Sequence, residues 1–504
     1  MKTSRCALPT RVLLQPVWLA LCAGILAGCA VGPDFKRPEP PQVAGYTATV
    51  LPAQTASAPG SLGDAQRFVA GGVVPAAWWQ ELGSTKLNAL IQQALQASPT
   101  LEAAEATLRQ AQQTYEAQAG STLYPQATGK LGGQRQSINS APSGQPGGER
   151  TFTLYNASVG VSYNMDLFGG NRRALEALAA QADYQRYQFE GARLTLAANV
   201  VTTVILQAQL AGQIQASEII LTTQEEQLDI TRRRLALGAA SQNDVLALQI
   251  QLEQTRAGIP PLRNRLEQTN HLLAVLIGRP PGSGAMPQFA LADFILPTEL
   301  PLRVPSELAR RRPDIQASEA LLHAANAQYG AAVSKQYPRI TLSADLGLQA
   351  LTAASLFGSG SLVWGLAGQL AQPLFNGGLR AEARAAESGF DAVAANYRQT
   401  VLQALRNVAD VLRALDNDAQ TLAAQAAADA SAQESLQLMR QQYALGAVSY
   451  LQLLIAQQQA QQTGINLIAA RAQRLANTVA LYQSMGGGWS HDANLGDTTL
   501  NSRN

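Results

Sequence analysis

Asp166-Leu167-Phe168-Gly169-Gly170 opens a stretch that turns at Leu237-Gly238-Ala239-Ala240-Ser241 and closes at Leu276-Ile277-Gly278. About two hundred residues further on the same events recur, and a repeat on that scale decides the architecture before any single residue does. Pro373-Leu374-Phe375-Asn376-Gly377-Gly378 opens the second copy, Leu445-Gly446-Ala447-Val448-Ser449 turns it, and Ser484-Met485-Gly486 closes it. No proline falls between Leu167 and Ile259, or after Pro373, so the usual helix breaker is missing from both stretches. Apolar residues recur every seven positions at Ile214, Leu221, Leu228 and Leu235, and again at Val408, Leu415, Leu422, Leu436 and Tyr443, with Asp429 interrupting the second series once. A sustained seven-residue period marks helices packed side by side as coiled coils. From Gly170 to Leu237 such a helix, rising about 1.5 Å per residue, is roughly 100 Å long, against about three turns for an ordinary one. Each copy reads as a very long helix, a tight glycine turn and a returning helix. Heptads by themselves fit a soluble rod or spacer equally well.

On the N-terminal side of each long helix the period changes from seven to two. Tyr155, Ala157, Val159, Val161, Tyr163 and Met165 alternate with Asn156, Ser158, Gly160, Ser162 and Asn164, which predicts a strand with one apolar and one polar face. A fainter strand occupies Gln126 to Ser137, and the Gly/Ser/Pro-rich run Ile138 to Arg150 reads as an exposed loop. In the second copy Tyr337-Pro338-Arg339 stands where Tyr124-Pro125-Gln126 stood, and Arg339 to Gln349 alternates throughout. A loop from Ala350 to Ser361 follows, and Leu362, Trp364, Leu366 and Leu370 mark a return strand. Ser98-Pro99 and Arg312-Pro313 each start a helix, proline being suited to a first turn. The two repeats span 85–280 and 305–487, joined by a Pro/Gly-rich linker at 281–304 and followed by a polar tail at 488–504.

The N-terminus sets the compartment. Lys2, Arg5 and Arg11 precede an apolar run from Val12 to Leu26, a pattern that predicts a cleaved export signal over 1–28. Leu26-Ala27-Gly28-Cys29 resembles the bacterial lipobox, in which the cut follows Gly28 and Cys29 becomes the lipidated first residue; with Ala30 in place of an aspartate next to it, the resemblance implies the outer membrane as the destination. Cys6 and Cys22 leave with the leader, so one cysteine remains and no internal disulfide can form. Residues 29–84 read as a lipidated, extended segment in which proline, glycine and alanine dominate up to Pro75, before Trp78-Trp79 introduces the helical pattern of Leu87, Leu90, Ile91 and Leu95.

Charged residues make up 14% of the 504, against about 25% in a typical soluble domain. The formal charge of +2 loses three basic residues with the leader, and no basic surplus points to nucleic acid. Arg232-Arg233-Arg234 and Arg310-Arg311-Arg312 read as solvated helix positions. His271, His323 and His491 are scattered, and no second mature cysteine completes a metal site, so neither metal nor cofactor is expected. Gly358-Ser359-Gly360-Ser361 lacks the lysine and the strand–loop–helix context of a phosphate loop, and no catalytic residue stands out. The mature chain shows no apolar run long enough for a transmembrane helix, which leaves the β-barrel as the permitted spanning form. Four strands cannot close a barrel alone. Two chains would give eight strands and a filled interior; three would give twelve and leave room for a channel.

With these residues in view the chain resembles the outer membrane efflux protein family, in its TolC-like lipoprotein branch of OprM- and NodT-type outer membrane factors, over nearly all its mature length. The resemblance is carried by Cys29-Ala30-Val31-Gly32-Pro33-Asp34-Phe35, Trp78-Trp79, Arg311-Arg312-Pro313-Asp314-Ile315, Leu167-Phe168-Gly169-Gly170, and the tip Arg234, Gly238, Ser241 and Asp244-Val245-Leu246. It implies a mainly α fold with a membrane β part. The implied assembly is a homotrimeric duct, with a long coiled-coil α-barrel in the periplasm and a shared twelve-stranded β-barrel to which each chain gives four strands. It implies an outer membrane protein of a Gram-negative bacterium, lipid-anchored at Cys29. Such a duct passes small toxic compounds or drugs from an inner-membrane transporter and a periplasmic adaptor to the outside. A type I protein secretion duct and a non-conducting lipoprotein scaffold are the alternatives; substrate and pump class (RND, MFS or ABC) are set by the partners. By resemblance, Arg234, Leu237, Gly238, Ala239 and Ser241, with Leu445, Gly446, Ala447 and Ser449, are adaptor-docking turns. Gln442 stands where the first copy has Arg234, so the two turns are expected to bind differently. Leu451 and Ile455 match the family's periplasmic gate, and Ile455 replaces a frequent aspartate there, which implies an apolar constriction that closes by dewetting.

Overall fold

The structure is a computed structural model describing residues 30–43, 45–139 and 149–487. The expected export signal at 1–28, the expected lipidation site Cys29, residues 140–148 of the exposed loop and the 488–504 tail lie outside the described residues. In chain order the elements are β1 (Arg67–Ala70), a 3-10 turn at Trp78–Leu82, α1 (Thr85–Ala97), α2 (Pro99–Thr122), β2 (Gln126–Asn139), β3 (Glu149–Met165), α3 (Gly170–Ala236), α4 (Gln242–Leu276), β4 (Glu299–Leu302), α5 (Pro305–Arg311), α6 (Pro313–Ser334), β5 (Arg339–Ala350), β6 (Leu362–Ala371), α7 (Gly377–Ala444) and α8 (Tyr450–Ser484). The two longest helices, α3 and α7, have 67 and 68 residues, and each is followed by a 35-residue helix. The duplication read from the sequence is therefore present element by element.

The chain divides into two compact units. Among the described residues the first comprises 30–37, 108–139, 149–185 and 318–397; the second 38–43, 45–107, 186–317 and 398–487. In the first, four strands form one antiparallel sheet in the order β2-β3-β5-β6. Val159 of β3 lies opposite Gly129 of β2 and Leu346 of β5, so the alternating apolar positions of the strands share one face. That face is solvent-exposed at Leu131, Leu346, Trp364, Leu366 and Leu370, the reverse of a soluble sheet that buries its apolar side.

The same unit fastens the start of the described chain. The Val31 amide donates to the Phe168 carbonyl at 3.0 Å, and Gly32 lies so close to Gly330 that a Cβ there would stand 2.6 Å from its Cα. Asp34 and Glu176 both accept from Arg173, at 2.5 and 2.8 Å, and His323 Nε2 lies 2.7 Å from Glu176. Phe35 stacks on the His323 ring at a centroid distance of 4.4 Å. Burial acts to raise the Glu176 pKa, but the hydrogen bonds from His323 and Arg173 outweigh it and hold the carboxyl below its ordinary range.

The second unit holds the main core, in which Trp78 stacks on Tyr482 at 5.5 Å and packs among Leu82, Leu87, Ile91 and Leu300. The heptad positions Val408, Leu415, Leu422 and Leu436 are buried, as the period requires. Asp429, the one interruption, accepts a hydrogen bond from Thr463 Oγ1 at 3.0 Å, so its carboxylate has a partner on α8.

Three features differ from the sequence reading. The N-terminal segment is extended, but it also contributes β1, which pairs parallel with β4 from the linker. Its Thr55 and Gln66 are held by the fully buried Arg474 of α8, whose Nη2 also donates to the Asp64 carbonyl at 2.6 Å. Arg312 is not a solvated helix residue: it is buried beyond the end of α5, with Nη1 donating to the Ser484 carbonyl at 3.0 Å and Nη2 to Asp314 at 2.7 Å. One 18-residue window of α3 is apolar enough to cross a membrane, at a mean hydropathy of 1.5, contrary to the expectation of none; 61% of it is buried inside the protein, which makes it a core segment. The returning helix of the first repeat, α4, reaches Leu276 as read from the sequence, running through Pro260 and Pro261 without ending. Interior prolines cost roughly 3 kcal/mol in an isolated helix, and here Ile259, Thr269 and Leu273 are buried on either side and keep the helix in place.

Candidate functional site: the paired helical turns

Both long helices end in the same local device. Gly238 has φ +73° and Gly446 φ +72°, the left-handed region that only glycine enters without strain. The Ala239 amide donates to the Arg234 carbonyl and Gly238 to Leu235; Ala447 donates to Gln442 and Gly446 to Tyr443, which completes a Schellman cap at each end. The returning helices start with capping boxes. Ser241 accepts from the Asp244 amide while the Asp244 carboxylate accepts from the Ser241 amide, and Ser449 and Gln452 exchange the same pair. The caps hold each chain reversal from both sides and leave the apex leucines facing outward. Leu237 and Leu445 are each 84% exposed, and a Cβ on either glycine would meet nothing within 4 Å.

The structure brings the two turns into contact through a residue read only as a heptad position. The Arg234 guanidinium lies 5.6 Å from the Tyr443 ring centroid, and its Nη1 donates to the Tyr443 hydroxyl at 3.3 Å. Tyr443 packs edge-on against Tyr450 at 5.4 Å. Burial pushes the Tyr450 hydroxyl above its ordinary pKa, so it stays neutral. Gln442, at the repeat position of Arg234, is uncharged, so the two turns differ at that position. The capping partners Asp244 and Gln452 were visible in the sequence as Ser-x-x-Asp and Ser-x-x-Gln. The Arg234–Tyr443 contact was not, because it joins residues of different repeats.

On α8, beside the second turn, Leu451 is 63% and Ile455 59% exposed, whereas Leu453, Leu454 and Ala456 are buried. The two lie one helical turn apart on the face of α8 away from the core. Farther along the same helices, α3, α7 and α8 enclose a groove of about 330 Å³, lined by Ile219, Ile220, Leu436, Ile465 and Ile468 among others.

The sequence pattern described as "Outer membrane efflux protein" matches residues 90–279 and 304–487, one match for each repeat. The chain belongs to the outer membrane efflux protein family. Among members of this family, the toluene efflux pump outer membrane protein TtgC of Pseudomonas putida is 32% identical over 480 residues, covering 94% of this chain and 95% of TtgC. The cation efflux system protein CusC of Escherichia coli is 29% identical over 486 residues, covering 94% and 98%. The solved structure of the outer-membrane channel OprN superposes with a TM-score of 0.80 at 26% identity, over 92% of this chain and 100% of OprN. As a member of the outer membrane efflux protein family this chain is the outer membrane component of an efflux pump, a channel and not an enzyme.

Proposed function

We propose that three copies join their four-stranded sheets into one twelve-stranded barrel, and that the chain is anchored by lipid on Cys29 once residues 1–28 are removed. In this reading small toxic compounds or drugs, the class to which the toluene and antibiotics named for its relatives belong, leave through the shared lumen. The turns at Arg234, Leu237, Gly238, Ala239 and Ser241 and at Leu445, Gly446, Ala447 and Ser449 dock a periplasmic adaptor carrying an inner-membrane transporter. Leu451 and Ile455 form an apolar constriction. The observation that carries the reading is the pair of capped turns, each presenting an exposed leucine beside an open glycine. A bare glycine on an exposed turn admits another backbone at close range.

Site-specific photo-crosslinking from Leu237 and Leu445 in intact cells tests it. The expected product joins this chain to a periplasmic adaptor, and the transporter co-purifying with that adaptor identifies the pump class. Capture of sibling copies alone, even under drug challenge, would remove the docking role. An adaptor belonging to an ABC transporter with a protein cargo would replace small-molecule efflux by protein secretion.

A further inference from the structure

The groove that α3, α7 and α8 enclose interrupts an otherwise regular coiled coil. On α3, Leu221 and Leu228 hold one core position of the heptad, and Gln224, three residues after Leu221, falls at the other. Gln224 is 3% exposed, so an amide fills this core position. On α8 the buried period runs Leu453, Ala460 and Leu467, and its side-chain volume drops at Ala460. Gln224, Ala460 and Gly464 all line the groove. Small residues thus open a space of about 330 Å³ beside a buried glutamine.

Two acceptors in the lining are unmet. Among the described residues, neither Gln224 Oε1 nor Gln457 Oε1 accepts a hydrogen bond, although both atoms are buried. The Gln457 amide is held in place, because its Nε2 donates to Gln227 Oε1 at 2.7 Å. Gln227 lies three residues from Gln224, on the same face of α3. A buried oxygen left without a donor is destabilising. A water molecule would satisfy it in about 10–15 Å³ of such space, far less than the groove offers, and Ile220, Leu436 and Ile465 make much of the remaining lining apolar. The one charged residue in the lining is Arg440, which repels a cation, and the apolar remainder disfavours burying any charge.

We propose that this groove binds a compact, uncharged molecule with an apolar body and a hydroxyl or N–H group that donates to Gln224 or Gln457. Its body takes the volume missing at Ala460 and Gly464, and its donor meets an oxygen that the folded chain leaves unpaired. Both oxygens lie just beneath the lining, and a small turn of the soft terminal torsion of a glutamine presents one to the groove. Bound there, the molecule bridges α3 to α7 and α8 within one chain. The site depends neither on the trimer nor on adaptor docking at the turns, so either reading can fail without the other.

Photolabelling of the full-length protein in membranes reads the site. The probe is hydroxymethyl-benzophenone, which joins an aromatic body to a hydroxyl, and benzophenone itself is the comparison without that donor. The hydroxylated probe is expected to label, saturably, the peptides of α3 and α8 that line the groove. Gln224→Leu removes an acceptor and is expected to weaken that labelling about fivefold, with little effect on benzophenone. Gly464→Leu fills the space and is expected to abolish labelling by both. Neither substitution should lower the unfolding temperature, since one removes an unpaired oxygen and the other a helical glycine. A lower temperature in either overturns the proposal, because the oxygen then already has a partner or the space is too small to fill. Equal labelling of Gln224→Leu and the native protein overturns the role of the donor, and labelling untouched by Gly464→Leu overturns the site. Displacement of the probe by excess monoolein but not by excess naphthol would give the groove to a lipid chain. Capture of another copy from a photo-crosslinking side chain at Ile465 would give it to a neighbouring chain, and either result overturns the proposal.

Discussion

At Gly238 and Gly446 a missing side chain does two things at once: it lets the backbone reverse with φ near +73° and keeps the outside of the turn open. Because a Cβ at Gly446 would meet nothing within 4 Å, Gly446→Ala isolates the backbone cost from any steric one. That cost is about 1–2 kcal/mol, so amide exchange across Leu445–Ser449 should accelerate roughly tenfold when measured by hydrogen-exchange mass spectrometry. An unchanged rate would show that the turn does not limit local opening. A second prediction concerns the residues that fasten the start of the described chain. Glu176 faces Arg173 and His323, Arg173 also holds Asp34, and Arg37 pairs with Glu319 nearby in sequence to that cluster. A carboxylate whose pKa is depressed in the folded state stabilises it above the ordinary carboxylate range, and this stabilisation is lost as pH falls through the depressed value. Proteolysis within residues 30–37 should therefore rise steeply below about pH 4. Glu176→Gln should raise cleavage at neutral pH and flatten the acid response; an acid response as steep as in the native protein would assign it to other groups.

At the scale of elements, the main core depends on the 3-10 turn that carries Trp78. This side chain is 1% exposed and is stacked on Tyr482. Trp78→Ala should cost about 3–5 kcal/mol, seen as a lower unfolding temperature and less folded protein in the outer membrane; an unchanged temperature would mean the core can collapse around the gap. How far each element was legible follows from where its information lies. The β3 and β5 alternation and the seven-residue period of α3 and α7 are properties of contiguous residues, and so are the glycine caps and capping boxes of the turns. Each could be read without knowing its neighbours. The four-residue strands β1 and β4 are too short to show a period, and Pro301 inside β4 disguises it further. Arg312 looked like one of three surface arginines because the carbonyls that accept from it, Ala404 and Ser484, lie far along the sequence. Pro260-Pro261 persists inside α4 through the packing around it. The Arg234–Tyr443 contact at the candidate site was hidden for the same reason as Arg312: it is made by folding, across the two repeats.

At the scale of the whole molecule, duplication gives one chain two similar turns but only one residue pair of the Leu451–Ile455 kind beside them, since the first repeat carries Asn243 and Ala247 at those positions. A constriction built from this pair is apolar and closes by excluding water. Leu451→Ser should wet it, raising single-channel conductance several-fold and making cells more sensitive to large antibiotics. Conductance and sensitivity that both match the native protein would remove Leu451 from the constriction. The two bare edges of the sheet, β2 and β6, have a consequence for biogenesis. A newly exported chain displays both at once, each with a row of unpaired amides and carbonyls. Head-to-tail addition of this sort ends only when the rotation between copies closes a ring; when it does not, copies keep adding and a fibre grows. For the ring proposed above, maturation is thus a race between ring closure and runaway polymerisation.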